Sequence, residues 1–139
     1  MLGFTIVSAL PDVRLTTSNG TLANQWYTIG KRVLSVTKAS DTSKLRITYQ
    51  DTVGTRASVH NSCMWRIMLD GNSIASFSDG DVEGTYGWRM HNGAHMAWAF
   101  DVPAGTHDVH VEFERLPTAT DCLAGWNTTG NFLSVEELP

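Results

Sequence analysis

Apolar and polar side chains alternate with a period of two along several stretches of this chain. The alternation is clean at residues 44–50 and 109–113, and it recurs at 63–69, where Met64 and Met68 make the second face apolar as well. A period of two is typical of half-buried β-strands, and no stretch keeps an apolar face at helical spacing for three turns. The pattern therefore predicts strands and no substantial helix. A further strand is predicted at 96–102, with Met96, Trp98, Phe100 and Val102 on one face and Ala97 and Ala99 on the other.

Turn signals separate the predicted strands. Asp70-Gly71 between two apolar runs predicts a tight hairpin, because both central positions of a type I′ turn need a positive φ. Ile29-Gly30-Lys31 and Asn92-Gly93 predict further turns. Shorter strands are predicted at 5–8, 13–17, 25–29, 32–37, 73–78 and 132–136. About ten short strands with regular turns predict an all-β fold, an antiparallel β-sandwich whose simplest form is a jelly roll.

Length and composition agree with one globular domain at residues 1–139. Hydrophobic residues make up 42% of the chain, and no apolar run approaches the ~20 residues that a membrane-spanning helix needs. The first eleven residues lack the basic region of a signal peptide, so none is expected. Only 17% of the residues are charged, which suits a surface that is partly covered by copies of the same chain.

Charge is distributed unevenly along the chain. The net charge of −4 disfavours a surface that follows nucleic-acid phosphates, so neither nucleic acid nor membrane insertion is expected. Residues 1–69 carry eight basic and three acidic groups, whereas residues 70–139 carry two basic and eleven acidic groups. This asymmetry indicates that the halves lie against each other within one chain or that they complement each other between subunits.

Two predicted strands carry apolar groups on both faces, which a strand with one face in water does not need. Met64 and Met68 lie on the second face of one, and Ala97 and Ala99 lie on the small face of the other. We interpret these four residues as an interface with a neighbouring copy of the chain, where small side chains allow close approach. The alternative is a central strand covered by a long loop.

The two cysteines, Cys63 and Cys122, are too few for a disulfide scaffold. A single bridge would close a loop of roughly 60 residues and stabilise the fold by about 4 kcal/mol through the entropy of the unfolded chain. The alternative is a pair of buried free thiols.

Motifs for catalysis are missing from the sequence. No Gly-x-Ser-x-Gly elbow and no glycine-rich phosphate loop occurs. Glu112 and Glu114 share one face of a predicted strand, as the carboxylates of a glycosidase pair do, but such a pair is more typical of a solvated strand face. We therefore expect no enzyme activity and no cofactor.

Histidines are weak candidates for a metal site. His91 and His95 flank a predicted turn, and three copies of His110 would meet on a three-fold axis. Neutral imidazole favours Zn, Ni, Cu or Fe. His107 and His110, however, fall on opposite faces of a strand and do not share an ion there. Scattered surface or core histidines are the simpler interpretation, and no metal is expected.

Aromatic residues in turn-rich segments next to planar polar groups are typical of sugar-binding sites, although a tryptophan there more often plugs the core. Most candidates fall in one predicted loop at residues 81–95. The candidate ligand-binding residues are Asp81, Tyr86, Trp88, Arg89, His91, Asn92, His95 and Trp126.

Four segments together resemble one protein family. They are a core strand at 43–51, a C-x-W-x-I strand at 63–67, a P-A-G-x-H-x-V-x-V run at 103–111 and a Cys-Leu-Ala-Gly-Trp ending at 122–126. They resemble the C-terminal trimeric domains of bacteriophage tail fibres and of prophage or bacterial collagen-like proteins, which are similar to C1q and tumour-necrosis-factor jelly rolls. The resemblance covers about residues 25–139 and leaves 1–24 as an N-terminal lead-in.

The resemblance implies a homotrimeric, non-enzymatic attachment head at a fibre tip, on a virion tail fibre or at a cell surface. Its implied partner is a cell-surface glycan or protein, and the alternative is a purely structural trimerisation domain. The chain departs from the family in two ways. It lacks the Gly-X-Y repeat of a collagen stalk, and it lacks the second cysteine often found soon after the C-x-W-x-I strand, which leaves Cys63 to Cys122 as the only bridge within the chain.

Overall fold

The computed structural model describes residues 2–16, 19–57, 62–78, 87–126 and 130–139, with the backbone alone at 87–89. Within these ranges no helix is long and apolar enough to cross a membrane. The regular elements are the strands β1 (Gly3–Ser8), β2 (Val13–Thr16), β3 (Trp26–Lys38), β4 (Lys44–Ala57), β5 (Cys63–Leu69), β6 (Asn72–Ser78), β7 (Gly87–Ala99), β8 (Gly105–Arg115), β9 (Ala119–Ala124) and β10 (Phe132–Leu138).

The strands form two antiparallel sheets that pack face to face. The four-stranded sheet has the order β3-β8-β5-β6, and the six-stranded sheet has the order β1-β10-β4-β9-β2 with β7 paired to β4. Strand β4 is the centre of the larger sheet, because β7 pairs with one of its edges while β10 and β9 share the other. The orders β1-β10-β4-β7 and β3-β8-β5-β6 are those of a jelly roll, which confirms the predicted fold class.

The hairpin between β5 and β6 is confirmed in detail. Strand β5 has the predicted bounds, and the turn after it has positive φ at Asp70 (49°) and Gly71 (82°), as a type I′ turn requires. Strand β9 was not predicted. Its adjacent residues Cys122 and Leu123 are both buried although they face opposite sides of the sheet, so no alternation marks the strand in the sequence.

Two predicted turns are wrong. The turn at Gly30 is a β-bulge inside β3, where the register shifts between Thr28 and Val33 and Lys31 has a φ of 69°. Asn92-Gly93 lies inside β7, because continuous pairing of β7 with β4 overrides the local turn preference.

The predicted strand at 96–102 is wrong at its end. Strand β7 stops at Ala99, and Asp101 then adopts a left-handed conformation with a φ of 58°. Phe100 and Val102 therefore belong to the connection that leads into β8.

A stack of rings crosses the core between the sheets. Phe77 of β6 lies between Trp65 of β5, with ring centroids 5.7 Å apart, and His95 of β7, with ring centroids 3.4 Å apart. Trp65 is fully buried. The stack joins the open edges of the two sheets, since β6 and β7 belong to different sheets.

Cys63 and Cys122 form a disulfide that links β5 in one sheet to β9 in the other. Of the two possibilities left open by the sequence, the structure therefore has the bridge. The cysteines are 59 positions apart. A loop of that length corresponds to about 4 kcal/mol of stabilisation in the chain-entropy treatment.

Opposite charges of the two halves meet within one chain. Arg46 pairs with Glu136 at 2.6 Å, and Arg66 pairs with Glu112 at 2.6 Å. Each pair joins a basic residue of the first half to an acidic residue of the second across neighbouring strands. Part of the charge asymmetry of the sequence is thus matched by strand pairing inside the domain.

A buried ion pair lies in the core behind the bulge of β3. The Arg32 guanidinium donates to Asp51 from Nε (3.0 Å) and Nη2 (2.9 Å), and both side chains are almost fully buried. Arg32 Nη1 donates to the carbonyl oxygens of Pro11 (2.6 Å) and Gly30 (2.9 Å). The Tyr49 hydroxyl donates to Asp51 as well, and burial, followed by the Asp51 charge, raises the pKa of Tyr49 well above its usual value.

His107, from the P-A-G-x-H run, is bound at both ring nitrogens. Nδ1 lies 2.6 Å from an Asp70 carboxylate oxygen, and Nε2 lies 2.8 Å from the Pro103 carbonyl oxygen. Because both partners are acceptors, this geometry favours the doubly protonated imidazolium. The hydrogen bond that His107 donates to Asp70 raises the pKa of His107 against the opposing effect of burial. His107 therefore ties the β5–β6 hairpin to the connection before β8.

We predict that Asp51→Ala lowers the free energy of unfolding by about 3–5 kcal/mol, because it leaves the Arg32 charge buried without its partner. Asp12→Ala is the control, since Asp12 pairs with Arg14 at 3.3 Å on the surface. An exposed pair of that kind is worth about 0–1 kcal/mol. Urea unfolding measures both variants, and equal costs would contradict a stabilising role for the buried pair.

We predict that NMR titration places the pKa of His107 above 6.5 and that Asp70→Asn lowers it. Because the folded pKa is raised, the stability from this contact is fully present below the unfolded pKa and is lost as pH rises through the folded pKa. The stability difference between the native chain and Asp70→Asn should therefore shrink at higher pH. Asp101→Asn, in the same connection, is the control and should leave the His107 titration unchanged. An unshifted His107 would refute the ion pair.

Candidate binding surface

The outer face of the six-stranded sheet carries two groups of exposed apolar side chains. Cross-strand register places Phe4 of β1 in one row with Trp98 of β7, and Ile6 in the next row with Met96. The exposed fractions are 54% for Phe4, 47% for Ile6, 52% for Met96 and 41% for Trp98. We call Phe4 with Ile6 the β1 flank and Met96 with Trp98 the β7 flank. Exposed apolar groups concentrated on one face mark an interaction surface.

A polar strip separates the two flanks. Glu136 and Arg46 lie between Phe4 and Trp98, and Ser134 and Thr48 lie between Ile6 and Met96. Arg46 donates to Glu136 from Nε (2.6 Å) and Nη2 (2.8 Å), which lowers the pKa of Glu136. The guanidinium also lies 5.6 Å from the centroid of the Trp98 ring. The strip is thus internally paired and holds one side of the β7 flank in place.

The outer face of the four-stranded sheet carries paired charged side chains. Arg66 of β5 and Glu112 of β8 pair there, and His110 Nε2 donates to the same glutamate at 2.9 Å. Arg66 also lies 4.0 Å from the centroid of the Trp26 ring. The apolar flanks and the charged face are therefore on opposite sides of the sandwich.

A pocket of about 270 Å³ opens on the same outer face as the flanks, where β2 and β9 extend the larger sheet. Among the described residues, its lining is formed by Arg14, Met90, Leu123 and Trp126. Register places Arg14, Leu123, Gly54 and Met90 in one row across β2, β9, β4 and β7. Gly54 is buried and contributes no side chain to this row.

Trp126 and Arg14 form the rim of this pocket. The Trp126 ring is 43% exposed, and the Arg14 guanidinium carbon lies 5.5 Å from its centroid. Leu123, at 1% exposure, forms the floor and lies outside the main core cluster. Arg14 also pairs with Asp12 at 3.3 Å. In the described part of its lining, the pocket thus combines the aromatic wall of Trp126, an apolar floor and the Arg14 guanidinium.

Gly125 fixes where the chain turns from β9 toward Trp126. Its φ is 91°, and its N–H donates to the Thr52 carbonyl oxygen at 2.8 Å. A Cβ on Gly125 would lie 2.3 Å from the Pro11 carbonyl oxygen and 2.7 Å from Arg32 Nη2. Only glycine fits between these groups, so the rim of the pocket is positioned by the buried Arg32 network.

The predicted ligand-binding residues whose side chains the structure describes do not all lie at one site. Trp126 lines the pocket, and Asn92 lies on the same outer face, where it accepts a hydrogen bond from Gln50 at 2.9 Å. His95 is different, because it packs against Phe77 between the sheets. Outside the described residues lie Asp81 and Tyr86, while Trp88, Arg89 and His91 all belong to strand β7 rather than to a loop.

The four residues predicted to form the subunit interface do not form one exposed surface. Ala97 and Ala99 are buried in the chain's own core, because register places them opposite Ile47 and Leu45 of β4. The large side chains of β7 face outward instead, which reverses the predicted faces.

Met68 is also buried within the single chain, and Met64 is half-buried on the four-stranded sheet. The methionines and alanines therefore lie on different sheets and do not form one stripe. Arg14, Met90 and Leu123, which line the pocket, were not singled out in the sequence. They come from three strands that only the register brings side by side.

Metal-binding side chains do not cluster in the part of the chain that the structure describes, where no group of three or more histidine, cysteine, aspartate or glutamate side chains is placed to hold an ion. The His91 and His95 rings lie 6.2 Å apart. Burial, followed by the neighbouring His91, lowers the pKa of His95. The third candidate, His110, hydrogen-bonds to Glu112 instead.

The carboxylate pair on β8 is poorly suited to acid catalysis. Glu112 accepts hydrogen bonds from Arg66 at 2.7 Å and pairs with His110 at 2.9 Å. Burial alone would raise its pKa, but the hydrogen bonds from His110 and Arg66 outweigh burial and lower the pKa. A general acid in a glycosidase needs a raised pKa.

Comparisons with known proteins found no matching family model and no similar curated sequence. Among solved structures, the chain is similar to the "EclA C-terminal domain; sugar-binding protein", with 11% identity, a TM-score of 0.49, and coverage of 94% of this chain and 80% of that one. It is also similar to a CBM36-1 domain of a multidomain xylanase from the hindgut metagenome of Trinervitermes trinervoides, with 9% identity, a TM-score of 0.43, and 96% and 97% coverage. A third is pika GITRL, with 8% identity, a TM-score of 0.36, and 82% and 83% coverage.

Proposed function

We propose that this domain is a non-enzymatic, homotrimeric attachment head at the tip of a fibre, on a virion or at a cell surface, and that it recognises a cell-surface glycan. The observation that carries the proposal is the outer face of the six-stranded sheet. That single face presents both the apolar flanks and the pocket at Trp126. The flanks serve self-association, and the pocket serves recognition.

The arrangement of the flanks supports a ring. A β1 flank of one copy meets the β7 flank of the next, so each copy uses two different patches. Heterologous contacts of this kind close into a ring when the rotation between copies allows it, whereas the same two flanks paired reciprocally about a two-fold axis would give a dimer. Each contact removes apolar surface from water at about 25 cal/mol per Å². We propose three copies in the ring because the sequence resembles trimeric domains of fibre proteins.

The pocket supports glycan recognition. Aromatic rings present a flat apolar face, and sugar rings present apolar C–H groups that pack against such a face. Trp126 offers that wall at the rim, and Met90 adds apolar surface to the lining. A purely structural trimerisation domain would need the flanks alone, so ligand binding at Trp126 distinguishes the two candidate functions.

We predict that light scattering at micromolar concentration gives a mass near three times 15.3 kDa for the native chain. Met96→Asp should place a charge in the contact between flanks and shift the mass toward one chain. Met64→Asp, on the four-stranded sheet, is the matched control and should leave the trimer intact. A native chain that stays monomeric on concentration would contradict the trimer.

We predict that Trp126→Ala abolishes binding on a glycan array or weakens it at least tenfold, while the trimeric mass is unchanged. Trp26→Ala is the control, because Trp26 also lies against an arginine but on the opposite sheet. Loss of the trimer in Trp126→Ala would instead assign the pocket to the subunit interface. An array on which the native trimer binds no glycan would leave the structural trimerisation domain as the function.

A further inference from the structure

We infer that the cleft at the end of β7, between the β5–β6 turn and the connection into β8, is a second ligand site that binds a neutral sugar residue. The inference goes beyond the proposed function, because this cleft is separate from the pocket at Trp126. Met90 lines that pocket, whereas Trp98 lines the cleft. These two residues lie eight positions apart on β7, which corresponds to roughly 26 Å along a strand. One sugar residue therefore does not reach both sites.

The cleft lies where the two sheets meet at one end of the sandwich. Its volume is about 390 Å³, within the range of about 300 to 1,000 Å³ that is usual for small-molecule sites. One wall is the turn of the four-stranded sheet, with Asp70 and Asn72, and the other is the end of β7 with the residues that follow it, Trp98, Phe100 and Asp101. The cleft thus has room for a small ligand and side chains of both polar and aromatic character.

The two walls are held in place before any ligand binds. His107 joins them, because Nδ1 lies 2.6 Å from the Asp70 carboxylate on one wall and Nε2 lies 2.8 Å from the Pro103 carbonyl oxygen on the other. Asp41 also fixes the connection, where its carboxylate accepts a hydrogen bond from the Ala104 N–H at 2.7 Å. A site with fixed walls loses less conformational entropy on binding than one that has to be ordered by its ligand.

Two rings give the cleft its aromatic surface. The Trp98 and Phe100 rings are nearly parallel, with an interplanar angle of 14° and centroids 6.3 Å apart. Phe100 is 64% exposed, more than any other large apolar side chain that the structure describes. Sugar rings present apolar C–H groups that pack against such a surface. The rings therefore suit the apolar face of a sugar residue.

Asp101 offers a hydrogen-bond acceptor next to these rings. It is exposed, and it makes no hydrogen bond or ion pair with any residue that the structure describes. The Asp70 carboxylate, by contrast, is already bound by His107 and by the Asp108 N–H, the latter at 2.8 Å. An ionised carboxylate only accepts hydrogen bonds, so Asp101 suits the hydroxyl groups of a ligand. Asn72 on the opposite wall adds an amide.

The charges around the cleft favour a neutral ligand. Lys44 and Arg46 each lie 5.6 Å from the centroid of the Trp98 ring, so a cationic ligand would meet two cations there. An anionic ligand would meet the carboxylates of Asp70 and Asp101. A wholly apolar ligand would cover the Asp101 charge without a hydrogen bond, which costs free energy. A neutral sugar avoids all three costs, because it has an apolar face and hydroxyl donors.

NMR titration with the methyl glycosides of glucose, glucosamine and glucuronic acid tests the inference, because these probes share one ring and differ in charge. The corresponding galactose derivatives test the other configuration at C4. The indole N–H signal of Trp98 is the readout. At least one neutral glycoside should shift this signal to saturation. Its Kd should be about threefold or more below those of its charged counterparts, which is the effect of one exposed ion pair.

Variants of the second wall test the contacts. Phe100→Ala should weaken binding of the neutral glycoside about fivefold or more, because it removes an aromatic contact. Asp101→Gly should also weaken binding, and glycine suits the φ of 58° at this position. Asp101→Asn keeps one acceptor oxygen and should recover part of the loss. Asp108→Asn is the matched control, because Asp108 is an exposed acid outside the described lining.

Each outcome either supports or overturns the second site. No shift of the Trp98 signal with any glycoside, or a charged glycoside that binds as tightly as the neutral one, would overturn it. Trp98 also belongs to the β7 flank, so a changed mass of Phe100→Ala in light scattering would instead assign the cleft to the contact between copies.

Trp126→Ala separates this site from the proposed function. The Trp98 shift should persist in that variant, and its loss would place the sugar in the other pocket, which overturns the second site and keeps the proposed function. A Trp98 shift that persists although no glycan on the array depends on Trp126 would support the second site and contradict recognition at the pocket.

Discussion

The pairing of Arg32 with Asp51 is the constraint on which the binding surface depends. A charge buried this deeply must be matched by acceptors, and the chain supplies them from the Pro11 and Gly30 carbonyl oxygens as well as from Asp51. These contacts bring the segment before β2 and the bulge of β3 against β4. Gly125 passes through the remaining gap, which admits no Cβ, and the next residue is Trp126. The buried Arg32 network between the sheets therefore positions the Trp126 ring on the outer face of the six-stranded sheet.

The six-stranded sheet also shows how one strand serves two environments. The small side chains of β7, Ala97 and Ala99, face the core opposite large residues of β4, while Met96 and Trp98 face outward. The core is closed along this edge by the Phe77 and His95 rings instead. The core beside β7 is filled with only small side chains from that strand, so the large side chains of β7 are exposed and can contact other molecules. This exposure is the physical basis of the proposed assembly.

Alternation in the sequence predicted the fold well and the surface poorly. Strand β5 could be bounded from its period of two, and Asp70-Gly71 identified its hairpin because the backbone there needs positive φ. At residues 96–99 of β7 both faces are apolar, so the sequence there does not indicate which face is buried; only pairing with β4 decides it. Trp126 was recognisable as an aromatic next to a turn. Its pocket was not, because the other lining residues come from separate strands.

The central claim is that the outer face of the six-stranded sheet is where this protein meets other molecules. Peroxide oxidation of the methionines, followed by mass spectrometry at low and high protein concentration, tests it most directly. The account predicts that Met96 becomes protected as concentration rises, that Met64 on the other sheet does not, and that Met90 is protected only when a pocket ligand is added. Concentration-independent oxidation of Met96, or protection of Met64 in its place, would contradict it.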